Sequence, residues 1–177
     1  GGGSLIDMAT HLYDLLEFFI DKKVKKVCAI TNNLVHFYKS EDSSTTLLEF
    51  VDGTHATVDS FFCIPDEASK TRLEIYGSKG AILTEGTIGQ SVGGRMEGIF
   101  GVGEGGYDAI QSKDKIPQFE EIPFEKINPY TAEFEYFADC VIKGEKPEIN
   151  NEKNALHILK ITEAAYRSYK DKKFISI

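Results

Sequence analysis

SSTTLLEFVDGTHATVDSFF, residues 43–62, decides the fold class. Thr45–Val51 and Thr54–Ile64 are rich in Thr, Val, Leu and Phe, and Asp52-Gly53 stands between them. Asp-Gly between β-rich arms favours a two-residue turn with positive φ, so the stretch predicts an antiparallel hairpin. Downstream, Thr71–Tyr76 and Ala81–Thr84 flank Gly77-Ser78-Lys79-Gly80 and predict a second hairpin. Upstream, residues 24–38 alternate loosely and read as strand, as do Gln118–Phe124 and the terminal Lys173–Ile177. Residues 86–106 hold nine of the 16 glycines and predict loop or irregular ribbon.

Helical periodicity brackets these strands. In SLIDMATHLYDLLEFFI, residues 4–20, Leu5, Met8, Leu12, Leu15 and Phe19 recur at helical spacing, with Ser4 placed to cap. Tyr130–Lys143 follows Asn128-Pro129 and stops at Gly144, and Asn151–Lys170 forms a longer helix. Helix, antiparallel strands, two helices and a strand are not an alternating βαβ order. They predict an α+β fold, an open, mainly antiparallel sheet of about six strands with helices packed on one face.

At 177 residues, with 41% hydrophobic and 27% charged residues, the chain suits one globular domain and not a disordered or low-complexity class. No apolar run approaches the roughly 20 residues of a membrane span. Lys and Arg number 20 against 28 Asp and Glu, a net charge of −8 that disfavours nucleic acid and anionic membrane surfaces. Cys28, Cys63 and Cys140 are far apart among apolar neighbours. They read as buried free thiols, which suits a reducing cytoplasm.

Asp7, His11 and Asp14 lie at i, i+4 and i+7 on the first helix. A carboxylate one turn from an imidazole can orient a proton-transfer base, and histidine titrates near neutral pH. Two plainer roles compete: Asp7 can close a capping box with Ser4, and Asp14 can face solvent. Gly1, Gly2 and Gly3 leave room for a ligand to approach the helix start. Asp7 and His11 could also share a metal ion, with His36, His55 or His157 as third ligand, but no metal site is expected. Gly101–Gly106 matches G-x-G-x-x-G, yet no apolar strand precedes it and no amphipathic helix follows, so it reads as a flexible loop.

GGGSLIDMATHLYDLL, residues 1–16, resembles the G-G-x-x-x-x-D-x-x-x-H-x-x-D segment that opens the C-terminal domain of the Gfo/Idh/MocA oxidoreductases. The hairpin at 43–62 resembles that family's hairpin, and TRLEIYGSKGAILTE, residues 71–85, its E-I-Y-G-x-K-G-x-L stretch. Residues 144–177 resemble its finish, a G-x-x-P turn and a helix carrying A-A-Y-x-S. The blocks cover most of the chain outside residues 86–127. The resemblance implies that residues 1–177 are the C-terminal substrate-binding and oligomerisation domain of an NAD(P)-dependent sugar or polyol dehydrogenase. The N-terminal Rossmann domain that holds NAD or NADP is then expected outside this chain.

By that resemblance Asp7 contacts substrate and His11 is the acid/base on the hydroxyl being oxidised, while Asp14 is structural. Hydride passes to a nicotinamide held mainly by the Rossmann domain, so the 177 residues alone are expected to be inactive. The family's catalytic lysine sits in an E-K-P segment of the Rossmann domain. Glu145-Lys146-Pro147 has that spelling but lies between two helices, so the role is not carried to Lys146. A small-molecule sugar or polyol is the expected partner, with no nucleic acid and no membrane. Apolar residues on both faces of the strands, such as Leu47 with Leu48 and Phe61 with Phe62, predict a homodimer or higher oligomer through the sheet face. The competing functions are a non-catalytic binding or assembly module of the same fold and a small metal-dependent hydrolase.

Overall fold

The computed structural model describes residues 2–90, 92–101 and 118–177. In chain order the elements are a π-helical turn Leu5–Ala9, α1 Thr10–Ile20, β1 Val24–Asn32, β2 Ser43–Phe50 and β3 His55–Phe61. A short 3₁₀ turn Asp66–Ala68 leads to β4 Arg72–Gly77, β5 Gly80–Glu85, β6 Arg95–Phe100 and β7 Glu120–Glu121. The chain closes with α2 Pro129–Lys143, α3 Glu152–Asp171 and β8 Ile175–Ser176. The fold is α+β, built on antiparallel open sheets.

There are two sheets where the sequence predicts one: β3-β2-β1-β8 and β4-β5-β6-β7. They belong to two separate units, Gly1–Ala68 with Lys146–Ile177, and Ser69–Glu145. β6 falls inside the glycine-rich stretch expected to be irregular. It pairs with β5 along its whole length, from Arg95 opposite Glu85 to Phe100 opposite Gly80. Residues 33–38, expected to extend β1, leave the sheet at Asn32 instead.

In the first unit β2 and β3 form the predicted hairpin, in register from Ser43 opposite Phe61 to Glu49 opposite His55. Its turn needs Gly53 at φ +90°, a conformation side chains resist, and the Asp52 carboxylate accepts the Thr54 amide at 3.0 Å. Pleating turns Thr46, Leu48 and Phe50 inward and leaves Leu47 exposed. Inward residues meet Leu5, Ala9 and Tyr13 from the first helix and Ile158, Ile161, Ala164 and Ala165 from α3. α3 lies on β1, where the buried Ser168 hydroxyl accepts the Ala29 amide at 3.0 Å.

β8 pairs with β1, Ser176 opposite Lys26 and Ile175 opposite Val27, and the Ile177 amide donates to the Lys25 carbonyl. The loop after β1 is held by Asp42, which is fully buried. Its carboxylate accepts the amides of Leu34, Val35 and His36 at 2.8, 2.8 and 2.9 Å. Burial pushes that carboxyl up, but the amides of His36, Leu34 and Val35 outweigh it and hold it below the usual range.

The second unit buries little among its described residues. Thr84 and Cys140 are its buried side chains. α2 is capped as its sequence predicts, Asn128 accepting the amides of Tyr130 and Thr131, with Gly144 left-handed at its end. Its apolar stripe of Tyr130, Phe134, Phe137 and Val141 stays exposed. The sequence expectation that every helix covers a sheet face therefore fails for α2.

Candidate active site

The site helix begins differently from its prediction. Ser4 has helical dihedrals and makes no side-chain cap, and its hydroxyl is buried without a partner. This removes the capping box that would have occupied Asp7. A helix start leaves four amides without intrahelical partners. Here Glu41 takes two of them: its carbonyl accepts Ser4 N at 3.1 Å and its Oε1 accepts Leu5 N at 3.0 Å. The Tyr166 hydroxyl donates to the same Oε1 at 2.9 Å. Burial, then the neighbouring Glu41 carboxylate, pushes the Tyr166 phenol above its usual range. A Cβ on Gly3 would stand 2.1 Å from the Glu41 carbonyl oxygen and 2.3 Å from its Cδ. The glycine makes room for Glu41 of the same chain, a correction to the expectation that it admits a ligand.

The opening turn is π-helical, and this resets the apolar face. A π turn takes one residue more per hydrogen-bonded ring than an α turn. Against the predicted series Leu5, Met8, Leu12, Leu15, Phe19, the residues packed inward are Leu5, Ala9, Tyr13, Leu16 and Ile20, with Leu12 beside them. Apart from Leu12, each inward position after the first is one residue later than predicted. Met8 and Phe19 are exposed instead. The Thr10 hydroxyl ties the turn by donating to the Ile6 carbonyl at 2.9 Å.

Asp7 and His11 are both exposed, on the outward side of this helix, and Asp14 is half-buried. Among the described residues the side chains of Asp7 and His11 have no hydrogen-bond or ion-pair partner within the chain. An outward imidazole beside an outward carboxylate can take a proton from a bound hydroxyl and orient the same molecule.

The other histidines are engaged elsewhere. His157 Nε2 meets the buried Glu17 carboxylate at 2.8 Å, and His36 Nε2 meets the Phe62 carbonyl at 3.0 Å. His55 is exposed at the start of β3. Among the described residues no three His, Cys, Asp or Glu side chains gather as a metal site would require. The cysteines are free, Cys140 buried and Cys28 and Cys63 half-buried. Lys146 is exposed in the turn before α3. Of the Gly101–Gly106 motif, residues 102–106 lie outside the described residues.

Two surface hollows, of about 450 and 470 Å³, avoid Asp7 and His11. Glu17, Lys23 and Val51 help line the first, and Arg72, Glu85 and Arg95 the second. In the second, Lys70 and Arg72 hold the Glu85 carboxyl below its usual range. These are paired surface charges on the β4–β6 ladder. The helix face with Asp7 and His11 is open, bordered by exposed Ile6 and Met8.

Sequence reasoning misses Glu41, Tyr166 and Glu17. Glu41 acts 36 residues from its partner amide and Tyr166 acts 125 residues from Glu41. Tyr166 lies in the A-A-Y block of the resemblance, which marks the residue without its contact. Glu17 sits among apolar residues, and the one-residue reset of the helix turns it inward.

Residues 1–83 match the GFO/IDH/MocA C-terminal domain family. The match confirms the resemblance drawn from the opening segment and contains Asp7, His11, Glu41 and the hairpin. Solved structures of oxidoreductases share the fold over almost the whole chain. Aldose-aldose oxidoreductase from Caulobacter crescentus, complexed with glycerol, superposes with a TM-score of 0.80 at 20% identity over 99% of this chain and 48% of that one. The WlbA dehydrogenase from Bordetella pertussis, in complex with NADH and UDP-GlcNAcA, gives 0.70 at 19% identity over 99% and 46%. At these identities the likeness is one of fold. The chain spans about half the length of these solved structures. A search of curated proteins finds no match.

Proposed function

We propose that the chain is the substrate-binding domain of an NAD(P)-dependent oxidoreductase acting on a sugar or polyol. His11 takes the proton of the substrate hydroxyl as its carbon gives up hydride, and Asp7 binds the same substrate. Residues 1–177 supply this wall of the site and the oligomerisation surface. A nucleotide-binding domain holding NAD or NADP supplies the other wall. The nicotinamide, when bound, accepts the hydride.

The observation that carries this reading is the pair Asp7 and His11. Both are exposed and unpartnered among the described residues, on a helix within the family-matched segment. A structural pair would be expected to spend its polar atoms on its own fold, as Glu17 and His157 do. The open face around them supports a site completed by a further domain. The solved structures of similar fold include one with NADH and a nucleotide sugar and one with glycerol.

The outer face of β1–β3 supports self-association. It presents Ile30, 62% exposed, and Leu47, 40% exposed, so a second copy packed on this face covers them. The free thiols support a cytoplasmic setting. No helix among the described residues is long and apolar enough to cross a membrane.

The test is turnover of sugars and polyols, followed by nicotinamide absorbance, in the oxidoreductase that carries this chain. His11→Ala should lower kcat by about 10²–10⁴-fold with cofactor affinity retained. Near-normal turnover would instead favour a non-catalytic binding module.

A further inference from the structure

We propose that Glu41 is a positioning residue for Asp7 and His11, capping the site helix from a distant loop, with Gly3 and Tyr166 holding it in that role. The inference rests on the function proposed above for His11. Its foundation is the missing local cap. Ser4, the residue placed to do the work, is already helical and bonds nothing through its hydroxyl. Glu41 substitutes with both of its acceptors, on consecutive amides, Ser4 N and Leu5 N. A carboxylate there also meets the positive end of the helix dipole.

The substitute is built from three elements. Gly3 leaves the volume that the Glu41 carbonyl and carboxylate fill, because any Cβ would collide with both. Tyr166 reaches from α3 and donates to the Oε1 that accepts Leu5 N. The carboxylate is therefore fixed by an independent donor before it meets the helix.

What the cap controls is the opening turn. Downstream, Tyr13 fixes the rotation of α1, fully buried with its hydroxyl bonded to Thr46 at 3.2 Å. His11 lies two residues from that anchor. Asp7 lies two residues from the capped Leu5 amide, inside the π turn. Without the Glu41 carboxylate the Leu5 amide loses its acceptor and the turn that carries Asp7 frays, while Tyr13 keeps His11 in place. Asp7 would then no longer hold one position relative to His11. Glu41 thus governs whether the carboxylate and the imidazole meet one substrate, without touching that substrate.

The experiment compares Glu41→Ala, Glu41→Gln, Gly3→Ala and Tyr166→Phe with His11→Ala in the oxidoreductase that carries this chain. Glu41→Ala and Gly3→Ala should each lower kcat/KM by about 10–10²-fold, mostly through KM, as expected of a misplaced binding group. The pH dependence of kcat should stay that of the parent. Glu41→Gln keeps an acceptor for Leu5 N and should recover most of the loss. Tyr166→Phe, the mildest change, should cost a few-fold in KM.

If Glu41→Ala lowers the melting temperature yet keeps the parent kcat and KM while His11→Ala is inactive, the positioning role is overturned and the function stands. If His11→Ala itself keeps turnover, the function fails, and amide exchange at Leu5–Asp7 in the 177-residue chain decides the cap. Faster exchange in Glu41→Ala than in Glu41→Gln supports it, and equal exchange overturns it.

Discussion

The two units of this chain hold their strands in different ways. In the first, β1 and β2 alternate buried and outward residues, and two helical segments close over Val27, Leu48 and Phe50. In the second, β4 and β5 carry a regular ladder, from Arg72 opposite Glu85 to Gly77 opposite Gly80, yet every side chain but Thr84 is half-covered or exposed. Backbone pairing runs the length of both ladders, with one irregularity between Val24 and Lys26 of β1. Burial of side chains is what separates them, and burial rather than pairing supplies most of the free energy of a fold. Asp7 and His11, the pair proposed to bind substrate and move its proton, stand on the unit with the sealed core. Such a pair needs a rigid support if it is to meet substrate in one geometry.

The sharpest way to break this contrast is a cavity in each unit. Phe50→Ala, at a fully buried ring, should cost about 3–5 kcal/mol. Ile82→Ala, half-buried in β5, should cost about 1 kcal/mol. Chemical denaturation followed by circular dichroism measures both, and equal costs would erase the distinction.

A smaller effect is expected at Glu17. Its carboxylate accepts Lys23 Nζ at 2.6 Å, the Val24 amide at 2.8 Å and His157 at 2.8 Å. Glu17→Ala orphans the buried Val24 amide and should cost about 2–3 kcal/mol in the same measurement. Lys23 is half-exposed and contributes little of that figure.

The helix caps sharpen the comparison from the other side, because they are alike. Asn151 accepts the amides of Lys153 and Asn154, as Asn128 accepts those of Tyr130 and Thr131. Asn151→Ala and Asn128→Ala should each cost about 1 kcal/mol of local helix stability, read by amide exchange. Only the change at Asn151 should spread into the core, since α3 buries Ile161 and Ala165 whereas α2 buries Cys140 alone.

The smallest difference is expected in acid. The Asp42 carboxyl sits below its ordinary 3.8 when folded, so the stability it contributes is present above that value. It is lost as pH falls through the lower, folded value. Melting temperature should therefore decline more steeply in acid for the parent than for Asp42→Asn. The loosening should appear first in the exchange of the Leu34, Val35 and His36 amides.

These contrasts also mark what can be read without coordinates. The hairpins at Asp52-Gly53 and Gly77–Gly80 follow from local chemistry, since each turn is specified by the residues in it. The caps at Asn128 and Asn151 are legible for the same reason. The opening helix is legible as a helix, but its phase is not. One added residue in the first turn moves the inward set from Met8 to Ala9 and from Phe19 to Ile20.

A capping partner 36 residues away leaves no local spacing to recognise, so Ser4 looked like the cap and Glu41 did not. The division into two sheets was equally hidden, because hairpins reveal which strands pair and not how many sheets the pairs build. Asp7 and His11 were legible as a pair through their family resemblance. Their exposure depends on the rotation of the helix that periodicity misplaced.

Residues 175–177 act as a guard. A strand at the rim of a sheet exposes a row of amides and carbonyls to which any other extended chain can attach. On β1 that rim is occupied stepwise: Ile177 meets Lys25, β8 meets Lys26 and Val27, and Ser168 meets Ala29. Clipping residues 175–177 would remove a handful of contacts and little core. It would convert the rim into a landing strip for a neighbour's strand, and the cost would appear as aggregation on standing rather than as a lower melting point.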